Sequence, residues 1–224
     1  MTEKADIRKE ILLKRNNLDA KFQTEASQNI CERLLNLAEF KNAENIAFYI
    51  ANKGEVDPFY LLPPSVASRQ LPPQAGGANG EGVAAESSHS QAGVTKKYYL
   101  PILDPEKPNH LLFQSYNPNE MLTPNRYGIP EPKLDPKKLI NPRDLDCVLT
   151  PLVGFDKKGN RLGMGVGYYD RSFSFLQNKK RPGKPILIGL AYSFQEISVW
   201  RPDNWDIALD IVITEKEALR VQGK

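Results

Sequence analysis

Apolar residues recur at helical spacing early in the chain and in short continuous runs later. Residues 4–19 predict one helix and 24–38 a second, in which Ala26, Ile30, Leu34 and Leu37 share a face. Strands are predicted at Asn45–Ala51, Lys97–Leu103, Leu111–Tyr116, Leu145–Val153, Ile186–Ser193 and Asp210–Thr214. Runs such as ILIGLA and CVLTPLV are apolar at odd and even positions alike, as in strands covered on both faces. Pro and Gly punctuate the links between them. The pattern predicts an α/β fold: a three-layer α/β/α sandwich around a mostly parallel or mixed central sheet, Rossmann-like in layout.

One stretch breaks this pattern. Residues 63–95 contain 20 Pro, Gly, Ala or Ser among 33 positions and almost no large apolar side chains. Such a segment cannot bury enough surface to offset its ordering entropy, so a disordered insertion is predicted. It contains His89, which loses its claim to catalysis. The remainder of the 224-residue chain is one domain's worth, so residues 1–224 are predicted to form a single domain carrying that insertion. Closure entropy grows only logarithmically with loop length. Replacing most of 63–95 by a short Gly/Ser link is therefore expected to leave folding and activity near those of the parent. Loss of soluble protein or of turnover would make the segment structural or catalytic.

Charge excludes some classes. Thirty basic residues against 27 acidic ones give a net charge of +3, too mild and too dispersed for a nucleic-acid-binding face. No run of 18 apolar residues exists, and the N-terminal MTEKADIRKE is charged, which predicts a cytoplasmic protein without a membrane partner. Cys31 and Cys147 are far apart, with no spacing suited to zinc or to a disulfide framework.

The first helix has a second stripe. At about 100° per residue, Ile7, Ile11 and Leu18 fall together, and Lys4, Arg8 and Arg15 fall directly beside them. Lys9 points the opposite way. Basic residues bordering an apolar stripe either snorkel at its rim or clamp an anion.

The most unusual segment is GFDKKGNRLGMGVGYYDR, Gly154 to Arg171, between an apolar strand and a predicted helix at Tyr169–Leu176. Gly163, Gly165 and Gly167 alternate, which suits neither strand nor helix. They permit either a tight turn or a backbone that wraps phosphate, with Arg161 supplying charge and Asp170 a hard oxygen. The Walker A and dinucleotide-binding patterns both fail on spacing.

The run P-L-V-G-F-D-x-x-G-x-R-L-G-x-G-x-G-Y-Y-D-R at 151–171 resembles the signature of the 5-formyltetrahydrofolate cyclo-ligase family. Three other parts agree in order: K-x-x-x-R at Lys4 and Arg8, G-E-V-D at 54–57, and D-I-A-L-D-x-V-I-T-E from Asp206 to Glu215. A G-I-P-E-P run, Gly128–Pro132, also sits where the family has one. Two features depart from it: the 63–95 insertion, and Met164 and Val166, where many members carry basic residues.

The resemblance implies ATP- and Mg²⁺-dependent conversion of 5-formyltetrahydrofolate to 5,10-methenyltetrahydrofolate, with ADP and phosphate released. It implies ATP contacts from Lys4, Arg8, Arg161, Gly163, Met164, Gly165, Val166, Gly167, Tyr168 and Tyr169. Substrate contacts are implied for Ile50, Glu55 and Tyr169, and Mg²⁺ ligation for Asp170 and Asp210. The implied partners are ATP and a reduced folate, with or without a polyglutamate tail, on a monomer. From the residues alone, Glu55 is also a turn residue, Tyr169 a core aromatic, and Asp210 a strand cap. Trp200 and Trp205 could line the pteridine site but read as structural. The alternatives are a folate- or nucleotide-binding paralogue without turnover, and an ATP-dependent ligase of another substrate on the same scaffold.

Overall fold

The computed structural model describes residues 3–62, 95–177, 182–198 and 200–221. The predicted insertion lies outside the described residues, apart from Thr95. The chain opens with three helices: α1 (Glu3–Asn16), α2 (Ala20–Asn36) and the single turn α3 (Ala38–Lys41). Strands β1 (Asn45–Ala47), β2 (Lys97–Leu103) and β3 (Leu111–Ser115) follow, then the hairpin of β4 (Leu122–Pro124) and β5 (Pro130–Pro132). Next come β6 (Leu139–Ile140), β7 (Cys147–Thr150) and a second hairpin, β8 (Gly154–Phe155) with β9 (Arg161–Leu162). Helix α4 (Tyr168–Ser172), β10 (Ile186–Leu190), β11 (Ile211–Ile213) and β12 (Ala218–Arg220) complete the order.

Eight strands form one sheet in the order β12-β11-β10-β7-β1-β2-β3-β6. The five central strands pair in parallel, and β12, β3 and β6 add antiparallel pairings towards the edges. Side chains alternate between two cores. Ile46, Leu149, Ile188 and Ile213 pack with Ile30, Leu34 and Phe40 from the helices of one face. Ala47, Val148, Leu187 and Val212 pack with Phe173 and Leu176 on the other. The predicted α/β layering is present, with a thin second layer: α4 has five residues and continues as a 3-10 turn, Ser174–Gln177. No helix among the described residues is long and apolar enough to cross a membrane.

Several boundaries move for physical reasons. Helix α2 starts four residues before the predicted onset, because the Asp19 carboxylate accepts from the Lys21 and Phe22 amides at 2.9 and 3.2 Å. Strand β1 stops at Ala47, after which the chain peels away through Tyr49–Glu55. The predicted continuous glycine-rich segment is divided. Its first half folds as the β8–β9 hairpin, whose turn Asp156 organises by accepting from the Lys158 and Asn160 amides at 2.9 Å.

The connections from β1 and β7 leave in opposite senses, β1 towards β2 and β7 towards β10. Between these adjacent parallel strands lies the switch point of the sheet. A crevice is expected there, beyond the carboxyl ends of the strands.

Candidate active site

A cavity of about 380 Å³ occupies that position. Its floor is formed by Tyr49, Ile50 and Glu55 after β1 and by Pro151–Val153 after β7. The β4–β5 hairpin supplies Asn125, Tyr127, Ile129 and Glu131, and the glycine-rich segment supplies Arg161, Gly163, Met164, Val166 and Gly167 through to Asp170. The folate-side residues and most of the glycine-loop residues expected from the sequence thus meet in one crevice, whereas Lys4, Arg8, Gly165 and Asp210 are not part of its lining.

Arg15 holds the floor together. Expected at a rim, it is 1% exposed. Its Nε donates to the Lys53 carbonyl at 2.9 Å and its Nη1 to the Leu152 carbonyl at 3.1 Å, while Nη2 lies 3.6 Å from Glu55 Oε1. Glu55 Oε2 accepts from the Asn52 amide at 3.1 Å. Burial raises the Glu55 carboxyl above its ordinary range, and the Arg15 charge opposes that shift. The folded protein therefore binds this proton more tightly than the unfolded chain. The stability Glu55 contributes is present at low pH and is lost as pH rises through the raised folded value. Glu55→Gln is expected to remove that segment of the stability–pH profile and to weaken folate binding. An unchanged profile from urea melts at several pH values would refute the assignment.

The glycine loop is open for a ligand. A Cβ built on Gly163 would meet nothing within 4 Å, so no neighbour in the protein demands a glycine there. Gly165 takes φ +100°, a conformation strained for other residues. Arg8 reaches this loop from α1, its Nε donating to the Gly163 carbonyl at 2.7 Å. Arg161 is 7% exposed, and its Nη2 donates to Asp170 Oδ1 at 2.8 Å. Arg161 Nη1 is buried without a hydrogen-bond partner among the described residues, a group awaiting an acceptor. The Arg161 guanidinium also lies 5.2 Å from the centre of the Tyr169 ring, and burial pushes the Tyr169 hydroxyl well above its ordinary range. Tyr168 bonds Arg126 and, at 3.1 Å, the Tyr127 hydroxyl, fastening the β4–β5 hairpin to α4.

Lys4 lies one helical turn before Arg8. Its Nζ contacts Asp203 at 2.7 Å and Asp206 at 4.0 Å and stands 5.4 Å from the Trp200 ring centre. Met164 is exposed and does not supply the charge absent from this position.

The expected pairing of Asp170 with Asp210 is corrected. Asp210 precedes β11, and its carboxylate accepts from the Leu187 amide at 2.8 Å, at the amino-terminal end of the parallel strands. The cavity lies beyond their other end. The acid brought to Asp170 is Asp206, whose carboxyl is raised by burial and further by the Asp170 charge. Asp170 Oδ1 also accepts from the adjoining Ile207 amide at 3.1 Å, which ties the two segments. No group of three or more His, Cys, Asp or Glu among the described residues could hold a metal unaided. Two facing carboxylates suit Mg²⁺, which takes one or two carboxylates and completes its shell with phosphate oxygens and water.

Sequence reasoning overlooked Arg15, Asp206 and the roof residues Asn125, Tyr127 and Glu131. The signals were Arg15 in the basic stripe, Asp206 opening the closing motif, and the G-I-P-E-P run.

Comparison with known proteins points to one family. The model of the 5-formyltetrahydrofolate cyclo-ligase family matches residues 84–215. The chain is 37% identical over 212 residues to the 5-formyltetrahydrofolate cyclo-ligase of Haemophilus influenzae, covering 94% of this chain and 97% of that protein. It is 33% identical over 201 residues to that of Escherichia coli K12, covering 90% and 94% respectively. The NMR structure of Aquifex aeolicus 5,10-methenyltetrahydrofolate synthetase superposes with a TM-score of 0.72 at 30% identity, covering 100% of this chain and 95% of that one. On the family match, the identity over nearly the whole chain and the shared fold, the chain belongs to the 5-formyltetrahydrofolate cyclo-ligase family.

Proposed function

We propose that this protein converts 5-formyltetrahydrofolate to 5,10-methenyltetrahydrofolate at the expense of ATP, in the cytoplasm, as a monomer of one domain. The observation that carries the reading is the junction in the crevice: Glu55 and Ile50 on one wall, the Gly163–Gly167 loop with the unpartnered Arg161 Nη1 on the other. A reduced folate, with or without a polyglutamate tail, enters beside Glu55 and Tyr169, and the triphosphate lies along the glycine loop.

An N-formyl oxygen is a poor leaving group. Its attack on the γ-phosphorus, with departure of ADP, makes it a phosphate ester. N10 then forms the second bond to the formyl carbon, phosphate leaves with the oxygen, and the N10 proton is lost. The residues have to position and neutralise rather than form covalent bonds. Arg8 and Arg161 balance phosphate charge from two sides of the loop, and Lys4 does so one turn along α1. Asp170 and Asp206 would hold Mg²⁺, which supplies further charge neutralisation on the phosphates when bound. Glu55, fixed by Asn52 and Arg15, accepts from N–H groups of the pterin. Tyr169 and the β4–β5 roof keep water from the activated formyl group.

Following methenyltetrahydrofolate formation by absorbance, with and without ATP, tests the whole reading. ATP-dependent product is expected. Folate or nucleotide binding without product would favour the inactive paralogue, and ATP hydrolysis with another acceptor would favour a different ligase. A finer test uses two charges on one helix. Charge-assisted contacts to phosphate contribute about 1.5–3 kcal/mol, so Arg8→Ala is expected to weaken apparent ATP affinity about 10- to 100-fold. Lys9→Ala removes an equal charge from the exposed face and is expected to change it less than about two-fold. Equal affinities would reduce the basic stripe to a solvated rim.

A further inference from the structure

The closing motif from Asp206 to Glu215 ends on an acid that the mechanism above leaves unused. Glu215 follows β11 and reaches across to the connection after β10. Its Oε2 accepts from the Ser193 amide at 2.8 Å, and its Oε1 accepts from the Ser193 hydroxyl. Ser193 opens a 3-10 turn, Ser193–Gln195, that sends one side chain back towards the end of β7. That side chain, Gln195, is 2% exposed. Its Oε1 accepts from the Tyr192 amide at 2.8 Å. Its Nε2 donates to the Leu152 carbonyl at 3.1 Å and to the Val153 carbonyl at 2.8 Å.

Those carbonyls belong to the crevice floor, between β7 and β8 and outside both ladders. Buried carbonyls there need donors from elsewhere, and one carboxamide serves two in succession. The Leu152–Val153 peptide is gripped at both of its polar ends. Its oxygen accepts from Gln195 and Arg15, and its N–H donates to the Leu162 carbonyl at 2.8 Å. Gly163, the next residue, begins the glycine loop, and its carbonyl accepts from Arg8. A single peptide plane thus joins the floor to the strand that starts the loop.

We propose that Gln195 is a positioning residue for the reaction, setting the spacing between the folate-side floor and the glycine loop, and that Glu215 fixes the turn that aims it. This rests on the cyclo-ligase reading above, in which the formyl oxygen and the γ-phosphorus are held by different walls. Such atoms react when held about 3–3.5 Å apart, and a misplacement near 1 Å costs about 100-fold in rate. Glu55, Arg8 and Arg161 keep their own contacts when Gln195 is replaced. The loss therefore falls on turnover rather than on binding.

Steady-state kinetics with ATP and 5-formyltetrahydrofolate, alongside thermal melts, separate positioning from plain support. Gln195→Met fills similar space without donors, and Gln195→Glu keeps the shape but ionises to a group that cannot donate. In both, kcat is expected to fall about 10- to 100-fold while each KM stays within about three-fold. Glu215→Gln leaves Gln195 in place and weakens only the hold on Ser193. It is expected to show the same split at about three- to ten-fold, and it keeps the test decisive if the Gln195 variants unfold. A merely structural glutamine would lower the melting temperature and leave the kcat of folded molecules unchanged. Parental kcat in folded Gln195→Met or Glu215→Gln, or a loss confined to KM, would overturn the proposal. If the parent protein itself forms no methenyltetrahydrofolate, the cyclo-ligase reading fails and the positioning role falls with it.

Discussion

Arg15→Met is expected to destabilise the protein by about 3–5 kcal/mol, the usual effect of removing one partner of a buried ion pair. For a chain of this size that is a fall of ~10 °C in unfolding midpoint. Methionine matches the volume of the stem, so the loss reports the guanidinium rather than a cavity. Three contacts are lost together: the donors to the Lys53 and Leu152 carbonyls and the charge facing the Glu55 carboxylate, of which Leu152 keeps the Gln195 amide and Glu55 the Asn52 amide. Because those groups belong to the segments after β1 and β7, folate affinity is expected to fall with stability. Arg15→Lys is expected to recover little, since one ammonium cannot reach three acceptors in a fixed fork. A melt within 2 °C of the parent, with normal folate binding, would show that α1 merely rests on the crevice.

Asp170→Asn is expected to lower turnover by about 100-fold or more and to raise the Mg²⁺ concentration needed for half-maximal rate, with folate binding nearly unchanged. One side chain has two functions here, orienting Arg161 and facing Asp206, and an amide weakens both. Asp206→Asn is expected to share the Mg²⁺ phenotype. Asp210→Asn is expected to leave the Mg²⁺ requirement where it was, because its carboxylate serves the Leu187 amide at the opposite end of the strands. The assignment fails if Asp170→Asn loses folate and keeps its Mg²⁺ dependence, or if Asp210→Asn alone changes that dependence.

These contrasts show where the sequence was informative. Strands such as Ile186–Leu190 and Cys147–Thr150 were legible because both faces are buried, which leaves a continuous apolar run. The β8–β9 hairpin was not, since two residues per strand cannot display an alternation and its turn glycine resembled part of the loop. The roof hairpin was hidden by its prolines, which normally argue against a strand, although its short edge position tolerates them. A helical wheel gave the direction of Arg15 but not its depth, which depends on a chain segment 137 residues away. Choosing between Asp206 and Asp210 needed the parallel pairing of β10 with β11, because only that pairing places Asp210 at the amino-terminal end. Gly163, Gly165 and Gly167 stood out because alternating glycines suit neither helix nor strand, whereas Arg8 and Glu55 had ordinary readings as rim and turn residues and were singled out by the family resemblance.

The contacts of α1 also bear on the order in which the molecule can form. Arg15 meets a carbonyl 137 residues along the chain, Arg8 one 155 residues along, and Lys4 a carboxylate 199 residues along. These three contacts wait until residues 152, 163 and 203 have been made, whereas the bond from Arg15 to the Lys53 carbonyl, 38 residues along, can form earlier. Helix α1 can therefore meet the Lys53 segment early, but it completes its docking only when the later segments are present. Until it does, the Glu55 segment and the glycine loop have no common support, and the nascent chain exposes the apolar stripe of α1. A chain in which those segments are absent or unfolded has the residues of the crevice but not the helix that joins its two sides.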